Sequence, residues 1–395
     1  MPWMSDLYYD NALAHSPRGT FRNRPLSWLT LPGTHASGAY RKQWISGYEA
    51  QTQEQDVYQQ LADGVRYLDI HPCLYNNGFW VYRGTPDQYI GARIDGIDGI
   101  LSQVASFMAS LAHSDRELVV LNFSHFSGFS NSSHANLLGQ IQGALQEFLV
   151  PVSIEQVNAA RCPYWQLLTE PEYLGYSYEA IPSNKIRSRV LVLYDGAMDT
   201  PRESYISSKI ETAPLGTGIF TVGPKYTGHD AAHTFYLFSQ ASTTEDLGTQ
   251  SSMPTDQYNK LTQRQNYACS QADWASDLGI SNLWGANTPA NPSNGIQNAL
   301  HVICWDLGAR ALGVAPILLA RDIANPSLQD FFQNTQSWNG KHYDATLSPC
   351  VNVLLVDDYA SHRHRNPSSP WHGLALPVAL AARTNVGPIG PASTW

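Results

Sequence analysis

The sequence predicts an α/β protein, a distorted TIM-type β/α barrel built as a single large domain, and three observations lead to that prediction. Short apolar runs typical of buried strands alternate with amphipathic segments typical of helices, which implies a parallel sheet. There are seven or eight strand candidates, and no glycine-rich phosphate loop follows the first, so a closed barrel is favoured over a doubly wound nucleotide fold. The length of 395 residues suits one elaborated barrel.

The first half of the chain has the clearest pattern. Apolar residues recur every three or four positions in 97–111, as on one face of a helix. The run 117–123 is almost continuously apolar, as in a strand covered on both faces. Strands are predicted at 28–31, 65–70, 79–83 and 117–123, and helices at 54–64, 97–111 and 135–149. The first strand is expected to end at Pro32, because proline cannot donate to a sheet ladder.

The second half is less regular. Strands are predicted at 189–194, 235–238 and 351–356, helices at 256–278, 294–312 and from Asn325, and a short apolar run lies at 314–319. Glycine, serine, threonine and proline are frequent between 200 and 295, so long loops are expected there. We divide the chain into a lead-in at 1–26 that packs outside, the barrel at 27–361, and a proline- and glycine-rich tail at 362–395 that lies on the surface.

Composition excludes several classes of partner. The net charge is −9 and no cluster of lysine and arginine stands out, which argues against nucleic acid and against polybasic docking on lipid. Five scattered cysteines give neither a zinc ribbon nor a dense disulfide framework. The start of the sequence shows no signal peptide, and no apolar run reaches the length of a membrane span. We expect a soluble monomer, secreted or cytoplasmic, with at most peripheral membrane contact.

Polar residues with catalytic chemistry follow the predicted strands. They are His35 after the first, Asp69 and His71 on the second, Arg83 on the third, His125 after the fourth, Asp195 after the fifth, and Asp357 and Asp358 on the last. In a barrel these strand ends converge on one face, where active sites are built. Each residue alone has a simpler explanation, such as a loop cap at Asp69, a buried structural histidine at His125, or a turn at Asp195.

Together these residues favour phosphoryl chemistry. The first and last strands are neighbours in a closed barrel, so a carboxylate of the Asp357-Asp358 pair can orient His35 and stabilise its protonated form. That arrangement makes His35 a general base. Arg83 carries a permanent charge on a planar fork suited to phosphate oxygens, and Asp69 can hold either Arg83 or His71 in place.

Five strand motifs resemble those of a known enzyme family. They are Leu31-Pro-Gly-Thr-His-Ala-Ser-Gly38, Gly64-Val-Arg-Tyr-Leu-Asp-Ile70, Val81-Tyr-Arg-Gly84, Glu117-Leu-Val-Val-Leu-Asn-Phe-Ser-His-Phe126 and Asn352-Val-Leu-Leu-Val-Asp-Asp-Tyr359. In order and spacing they resemble the catalytic X domain of phosphatidylinositol-specific phospholipase C and its barrel superfamily. The resemblance implies His35 as the base, Asp358 as its partner, Asp69 in the Asp-Ile-Arg position, and a cyclic phosphodiester as product. Metal-free members of the family place an arginine beside the phosphate where others bind calcium.

Three positions depart from the family pattern. His71 stands where the family has arginine, Arg83 where it has histidine, and Ala36 where bacterial members have an acidic residue. Arginine keeps its proton and cannot act as the general acid. We therefore expect exchanged roles, in which His71 donates the proton to the leaving group and Arg83 binds the phosphate, with His125 and Asp195 as further substrate-binding residues.

Three functions remain open on the sequence. The first is a phosphodiester-cleaving enzyme that acts on a phospholipid or related phosphodiester without a metal cofactor. The alternative is a diverged barrel that binds a carbohydrate or lipid head group, or runs another reaction, with its 11 tryptophans and 21 tyrosines at the mouth. A calcium- or magnesium-dependent phosphodiesterase is not favoured, because no second carboxylate stands beside Asp69.

Overall fold

The computed structural model describes residues 2–11, 13, 20–41, 51–84, 89–151, 163–194, 218–222, 234–239, 253, 257, 299–305, 316–333 and 351–386. Eight parallel strands pair in a closed ring, which confirms the predicted barrel. In ring order they are β1 (Leu31–Thr34), β2 (Tyr67–Ile70), β6 (Leu118–Phe123), β7 (Arg189–Tyr194), β8 (Ile219–Val222), β9 (Thr234–Ser239), β10 (Ala299–Trp305) and β11 (Val353–Val356). The β1–β2 and β8–β9 links are the shortest, with two residue pairs each.

The first strand begins three residues later than predicted. Residues Leu26–Trp28 form a 3-10 turn, and Pro32 lies inside β1 instead of ending it. The backbone N–H groups of Leu31 and His35 donate toward β11, so the missing N–H of Pro32 falls on the β2 side, where pairing starts only at Gly33. A Cβ atom at Gly33 would lie 3.0 Å from the side chain of Val353 in β11 and 3.3 Å from that of Tyr67 in β2. Only glycine fits between these two strands without a shift of its neighbours.

The strand predicted at 79–83 does not belong to the barrel. It is β4 (Gly78–Tyr82), the middle strand of an antiparallel sheet with β3 (Pro72–Tyr75) and β5 (Ile90–Arg93). Asn76 and Asn77 both have positive φ angles, 45° and 57°, so the chain reverses in a two-residue hairpin. A hairpin cannot provide the crossover that a parallel barrel strand needs.

The helix predicted at 294–312 is wrong over its described part, because residues 299–305 form β10. A short buried strand and a buried helix segment share the same apolar pattern, and periodicity alone does not separate them. β8 was also missed, whereas β9 confirms the strand predicted at 235–238. The apolar run at 314–319 ends in a short helix, and most of the helix predicted at 256–278 lies outside the described residues.

Eight α-helices are described. They are α1 (Trp3–Tyr9), α2 (Val57–Ala62), α3 (Ile100–Ser110), α4 (Asn131–Leu145), α5 (Tyr164–Leu168), α6 (Pro316–Leu319), α7 (Asn325–Gln333) and α8 (Leu376–Val386). The π-helical segment Ala320–Ala324 joins α6 to α7. The side chains of Asp56 and Ser130 accept the free N–H groups at the starts of α2 and α4. None of the described helices has the length and apolar character that a membrane-spanning helix needs.

The first and last described helices, α1 and α8, pack against the amino-terminal side of the barrel. Ser5 of α1 donates from its N–H and its hydroxyl to Glu117, which also pairs with Arg66 at 2.6 Å, and both members of that ion pair are fully buried. The segment predicted as a surface tail contains α8, whose residues are almost all buried. Asn385 of α8 exchanges hydrogen bonds with the backbone of Thr30, directly before β1. The lead-in and α8 thus close the end of the barrel opposite the strand termini that carry the polar residues.

Candidate active site

His35 is held at the mouth of the barrel by its backbone. Its N–H donates to the carbonyl of Val356 at 3.0 Å, and its own carbonyl accepts from Thr52 Oγ1 at 3.0 Å and Gln53 Nε2 at 3.1 Å. These contacts tie the end of β1 to the end of β11. The imidazole therefore projects from a fixed point where two neighbouring strands finish, as the sequence predicted.

The carboxylate partner of His35 is Asp357. His35 Nδ1 lies 3.2 Å from Asp357 Oδ1, and the Asp357 side chain is 0% exposed. Neither oxygen of Asp357 accepts a well-aligned hydrogen bond from the described residues. Because a buried carboxylate without donors is costly, Asp357 favours a positively charged His35.

Asp358, the residue predicted to contact His35, contacts Arg321 instead. Its Oδ2 accepts from Nε and Nη2 of Arg321 at 3.2 and 3.1 Å, and Arg321 Nη2 also donates to Glu54 at 2.6 Å. Asp358 has a φ of 43°, so its backbone adopts the left-handed conformation directly after Asp357. Burial raises the pKa of Asp358 to about 6, against the opposing charge of Arg321.

Further hydrogen bonds fix the turn at the end of β11. Asn325 Nδ2 donates to the carbonyls of Asp357 and Asp358, both at 3.0 Å, and the N–H of Asp358 donates to the carbonyl of Thr52 at 2.7 Å. Arg321 comes from the π-helical segment, a type of irregularity that often occurs at functional sites. Arg321 and Asn325 therefore hold the turn that aims Asp357 at His35.

The second histidine has its own carboxylate. His71 Nε2 lies 2.9 Å from Oδ2 of Asp69. Asp69 Oδ1 accepts from Asn122 Nδ2 at 3.2 Å and Ser124 Oγ at 3.4 Å, and its Oδ2 lies 3.5 Å from the N–H of Ala36. Burial by itself raises the pKa of Asp69, but the charge and hydrogen bond of His71, with smaller contributions from the other two histidines, bring it below its ordinary value.

The two imidazoles face each other. The ring centroids of His35 and His71 are 5.7 Å apart and the rings are inclined at 67°. The ring of His125 also packs against that of His71, with a centroid distance of 4.5 Å. His125 Nδ1 lies 2.9 Å from the Ser124 hydroxyl, and Tyr82 donates to the His125 carbonyl at 2.6 Å. The predicted residues His35, Asp69, His71 and His125 thus meet at one mouth, whereas Asp195 lies outside the described residues.

Arg83 reaches this mouth from the hairpin sheet. It follows β4, and its Nη1 lies 2.7 Å from Nδ1 and 2.6 Å from Nε2 of His35. The guanidinium can only donate, so this contact favours a neutral imidazole, in opposition to Asp357. His35 is therefore poised between a permanent cation and a buried anion.

Left-handed backbone at non-glycine residues clusters around the site. Ala36, His125 and Asp358 have φ angles of 42°, 56° and 43°, and each lies two residues beyond the end of a barrel strand. Such conformations cost energy and persist where the surrounding structure enforces them, often at active sites. Sequence patterns give no warning of this feature, since none of the three is glycine.

The sequence did not predict some of the side chains that support the site. Asn122, Ser124, Tyr82 and Arg321 all contact site residues, and only the first two had a usable signal. They are polar residues at the end of an apolar strand, next to His125. Arg321 is far from every other site residue in sequence, and nothing in its neighbours indicates an ion pair.

A metal ion has one set of ligands to consider. Single ligand atoms of His35, Asp69 and His71 all lie within 4.8 Å of one another. Two imidazoles and one carboxylate are a donor set that transition metals accept. The guanidinium of Arg83 contacts one of these imidazoles and would repel a divalent cation. The cluster therefore has ligand types that suit a metal ion, but the positive charge of Arg83 opposes binding of a cation there.

Comparison with curated proteins gives a partial match. No family model matches the chain. The variant-surface-glycoprotein phospholipase C of Trypanosoma brucei brucei is 27% identical over 159 residues. The match covers 36% of this chain and spans only 40% of the length of that relative.

Solved structures match over almost the whole chain at low identity. The F249X mutant of phosphatidylinositol-specific phospholipase C from Staphylococcus aureus is 14% identical, covers 96% of both chains and gives a TM-score of 0.48. The phosphatidylinositol-specific phospholipase C of Listeria monocytogenes is 16% identical, covers 97% of both chains and gives a TM-score of 0.47. These solved structures and the trypanosome enzyme are proteins to which this chain is similar.

Proposed function

We propose that this chain cleaves a phosphodiester of the phosphatidylinositol type by general acid–base catalysis shared between His35 and His71. One observation carries the proposal. Two imidazoles, each with its own buried carboxylate, face each other at 5.7 Å with a guanidinium in contact with one of them. A base, an acid and an anion clamp are the groups that in-line displacement at phosphorus needs.

His35 acts as the base. With Nδ1 directed at Asp357, its Nε2 accepts the proton of the attacking hydroxyl, which is the inositol 2-hydroxyl in the reaction of the similar family. Oxygen then bonds to phosphorus, and the imidazolium that forms is stabilised by the buried carboxylate. When substrate binds, Arg83 turns from the imidazole to the phosphate oxygens, and Nε2 becomes available.

His71 acts as the acid. Its Nε2 is held by Asp69, so Nδ1 carries the proton delivered to the leaving oxygen as the bond from phosphorus to the diacylglycerol oxygen breaks. The products are a cyclic inositol phosphodiester and diacylglycerol. Arg83 neutralises charge on the nonbridging oxygens, which is the role that its fixed charge suits.

A panel of phosphodiesters tests the function. Phosphatidylinositol, a glycerophosphodiester and sphingomyelin are incubated with the protein, and phosphorus NMR is used to detect a cyclic product. We expect turnover of phosphatidylinositol with the cyclic signal appearing first. Absence of turnover on all three substrates contradicts the proposal. Loss of turnover on chelation would instead favour a metal at His35, Asp69 and His71.

A second candidate is a binding protein for phosphorylated head groups. It is favoured by the contact of Arg83 with both ring nitrogens of His35, since a base so engaged cannot accept a proton. This alternative predicts that inositol phosphate binds tightly while no phosphodiester is cleaved. It also predicts that Arg83→Gln abolishes binding whereas His71→Ala leaves it largely intact.

A further inference from the structure

A groove with a volume of about 620 Å³ lies outside the two histidine–carboxylate pairs, and we call it the basic groove. It is lined by Pro326 of α7, by residues 362–367 and by Leu376 at the start of α8. The lining segment begins four residues after Asp358. The groove is therefore close in sequence to the mouth of the barrel, although none of its side chains belongs to the candidate active site.

The charge of this segment is one-sided. Residues 359–386 contain three arginines and three histidines and no aspartate or glutamate, in a chain whose net charge is −9. His362, Arg363, His364 and Arg365 are consecutive and all line the groove. No basic cluster stands out in the sequence because the arginines alternate with histidines and the overall charge is negative.

The backbone of the groove is held rigidly. The backbone N–H of His364 donates to the carbonyl of Leu374 at 2.8 Å, and the N–H of Gly373 donates back to the carbonyl of His364 at 2.9 Å. The N–H of Leu376 donates to the carbonyl of His362 at 2.7 Å. Arg363 Nη1 donates to the Gly373 carbonyl at 2.8 Å. A bound anion would therefore meet a preformed surface, and little ordering cost would be paid on binding.

The basic side chains repel one another. Burial lowers the pKa of His362, and the charges of Arg365 and Arg321 lower it further, with only Asp322 acting in the opposite direction. Burial likewise lowers the pKa of His364, followed by the charges of His372 and Arg383. No side-chain hydrogen bond or ion pair of Arg365 is found among the described residues. The groove thus has an excess of positive charge that an anion would neutralise.

We propose that the basic groove binds a phosphate group, either of a soluble phosphate ester or of an anionic lipid head group. Arg363 and Arg365 would contribute guanidinium donors, which match phosphate oxygens in geometry and charge. His362 would gain a proton as the anion binds, so affinity increases as the pH falls. The proposal is independent of the reaction at His35, since it concerns equilibrium binding only.

Titration with inorganic phosphate, followed by calorimetry, gives the first test. The groove and Arg83 are separate in the structure, so the double variant Arg363→Gln/Arg365→Gln should bind one phosphate fewer per chain than the wild type, whereas Arg83→Gln should keep the phosphate of the groove. Arg187→Gln is the matched control, because it removes an arginine paired with Glu170 just before β7, at the opposite end of the barrel. Unchanged groove affinity in the double variant, or a groove that takes up no phosphate, overturns the proposal.

Two further experiments identify the source of the bound phosphate and exclude misfolding of the variants. Phosphatidylcholine vesicles with and without phosphatidic acid are sedimented with each variant. Selective binding to phosphatidic acid that the double variant loses assigns the groove to lipid, and phosphate binding without vesicle binding assigns it to soluble esters. The variant Arg363→Lys/Arg365→Lys keeps the charge and should recover most of the affinity, with thermal unfolding like that of wild type. The assignment is contradicted if Arg363→Gln/Arg365→Gln loses binding because it is unfolded and Arg363→Lys/Arg365→Lys does not recover the affinity.

Discussion

The two histidine–carboxylate pairs at the barrel mouth have the same composition and different surroundings. Asp69 holds His71 and also receives hydrogen bonds from Asn122, Ser124 and the backbone of Ala36. Asp357 lies beside His35 and, within the described part of the chain, accepts no well-aligned hydrogen bond. One carboxylate is stabilised by its environment, whereas the other depends on its histidine.

This difference separates the two roles. A carboxylate with several donors stays ionised and keeps its imidazole in one orientation, which suits an acid that must point at the leaving group. A buried carboxylate without donors gains most when its imidazole becomes charged, which suits a base that takes up a proton. Variants that alter one pair at a time therefore measure the asymmetry between them.

His35→Ala should have the largest effect. Loss of the base should lower turnover of phosphatidylinositol by about a hundred- to ten-thousand-fold. It also leaves Asp357 buried beside a cavity, so the free energy of unfolding should fall by about 1–3 kcal/mol in urea denaturation. Turnover within a few-fold of wild type would rule out His35 as the base.

His71→Ala should lower turnover by a similar factor and stability by less. Asp69 keeps its three other donors in this variant, so its charge remains compensated. His125→Ala is the control, since His125 packs against the ring of His71 while its own Nδ1 faces the Ser124 hydroxyl, and its loss should cost less than about tenfold. A larger loss of stability in His71→Ala than in His35→Ala would contradict the asymmetry.

Replacing Asp357 and Asp358 by asparagine, one at a time, gives the next comparison. Asp357→Asn removes the charge beside His35 and should lower turnover on the order of a hundredfold. Asp358→Asn weakens only the contact with Arg321 that holds the turn, and should cost on the order of tenfold. The pH profile of turnover should shift in Asp357→Asn, because the base loses the charge beside it. The reverse order of effects would restore Asp358 as the partner of His35.

The last prediction concerns stability, because the Asp358 carboxyl changes its protonation state within an accessible pH range. Burial raises the pKa of this carboxyl from 3.8 to about 6, despite Arg321. Its titration therefore contributes stability that is fully present below about pH 4 and lost as the pH rises through 6. Relative to Asp358→Asn, the free energy of unfolding of the wild type should fall by about 1–3 kcal/mol between pH 4 and pH 7. A difference that increases with pH would show that Arg321 outweighs burial.

The sequence predicts those parts of the fold that depend on local pattern. Long apolar runs predicted β6 and β7, and the three-and-four spacing predicted α3. It failed at β10, where a strand and a helix have the same apolar run, and at β4, where the hairpin turn excludes a barrel strand. The first failure concerns tertiary context, which periodicity does not contain, and the second concerns a local two-residue hairpin turn.

The site was predicted to the level of residue type and strand end. His35, Asp69 and His71 meet because the carboxyl ends of neighbouring parallel strands must meet. The choice between Asp357 and Asp358 depends on which side chain contacts His35 and which contacts Arg321, and two adjacent aspartates in a sequence do not reveal this. Arg321 was missed because its partners, Glu54 and Asp358, lie 267 and 37 residues away in the chain.

The assignment of base and acid is tested most directly by changing the leaving group. A nitrophenyl ester of inositol phosphate releases an anion that needs no proton, so a missing general acid has little effect on its cleavage. We predict that His71→Ala cleaves this ester at nearly the wild-type rate while failing on phosphatidylinositol, and that His35→Ala fails on both. Equal impairment of the two variants on both substrates, or recovery of His35→Ala alone, would contradict the division of roles between the two pairs.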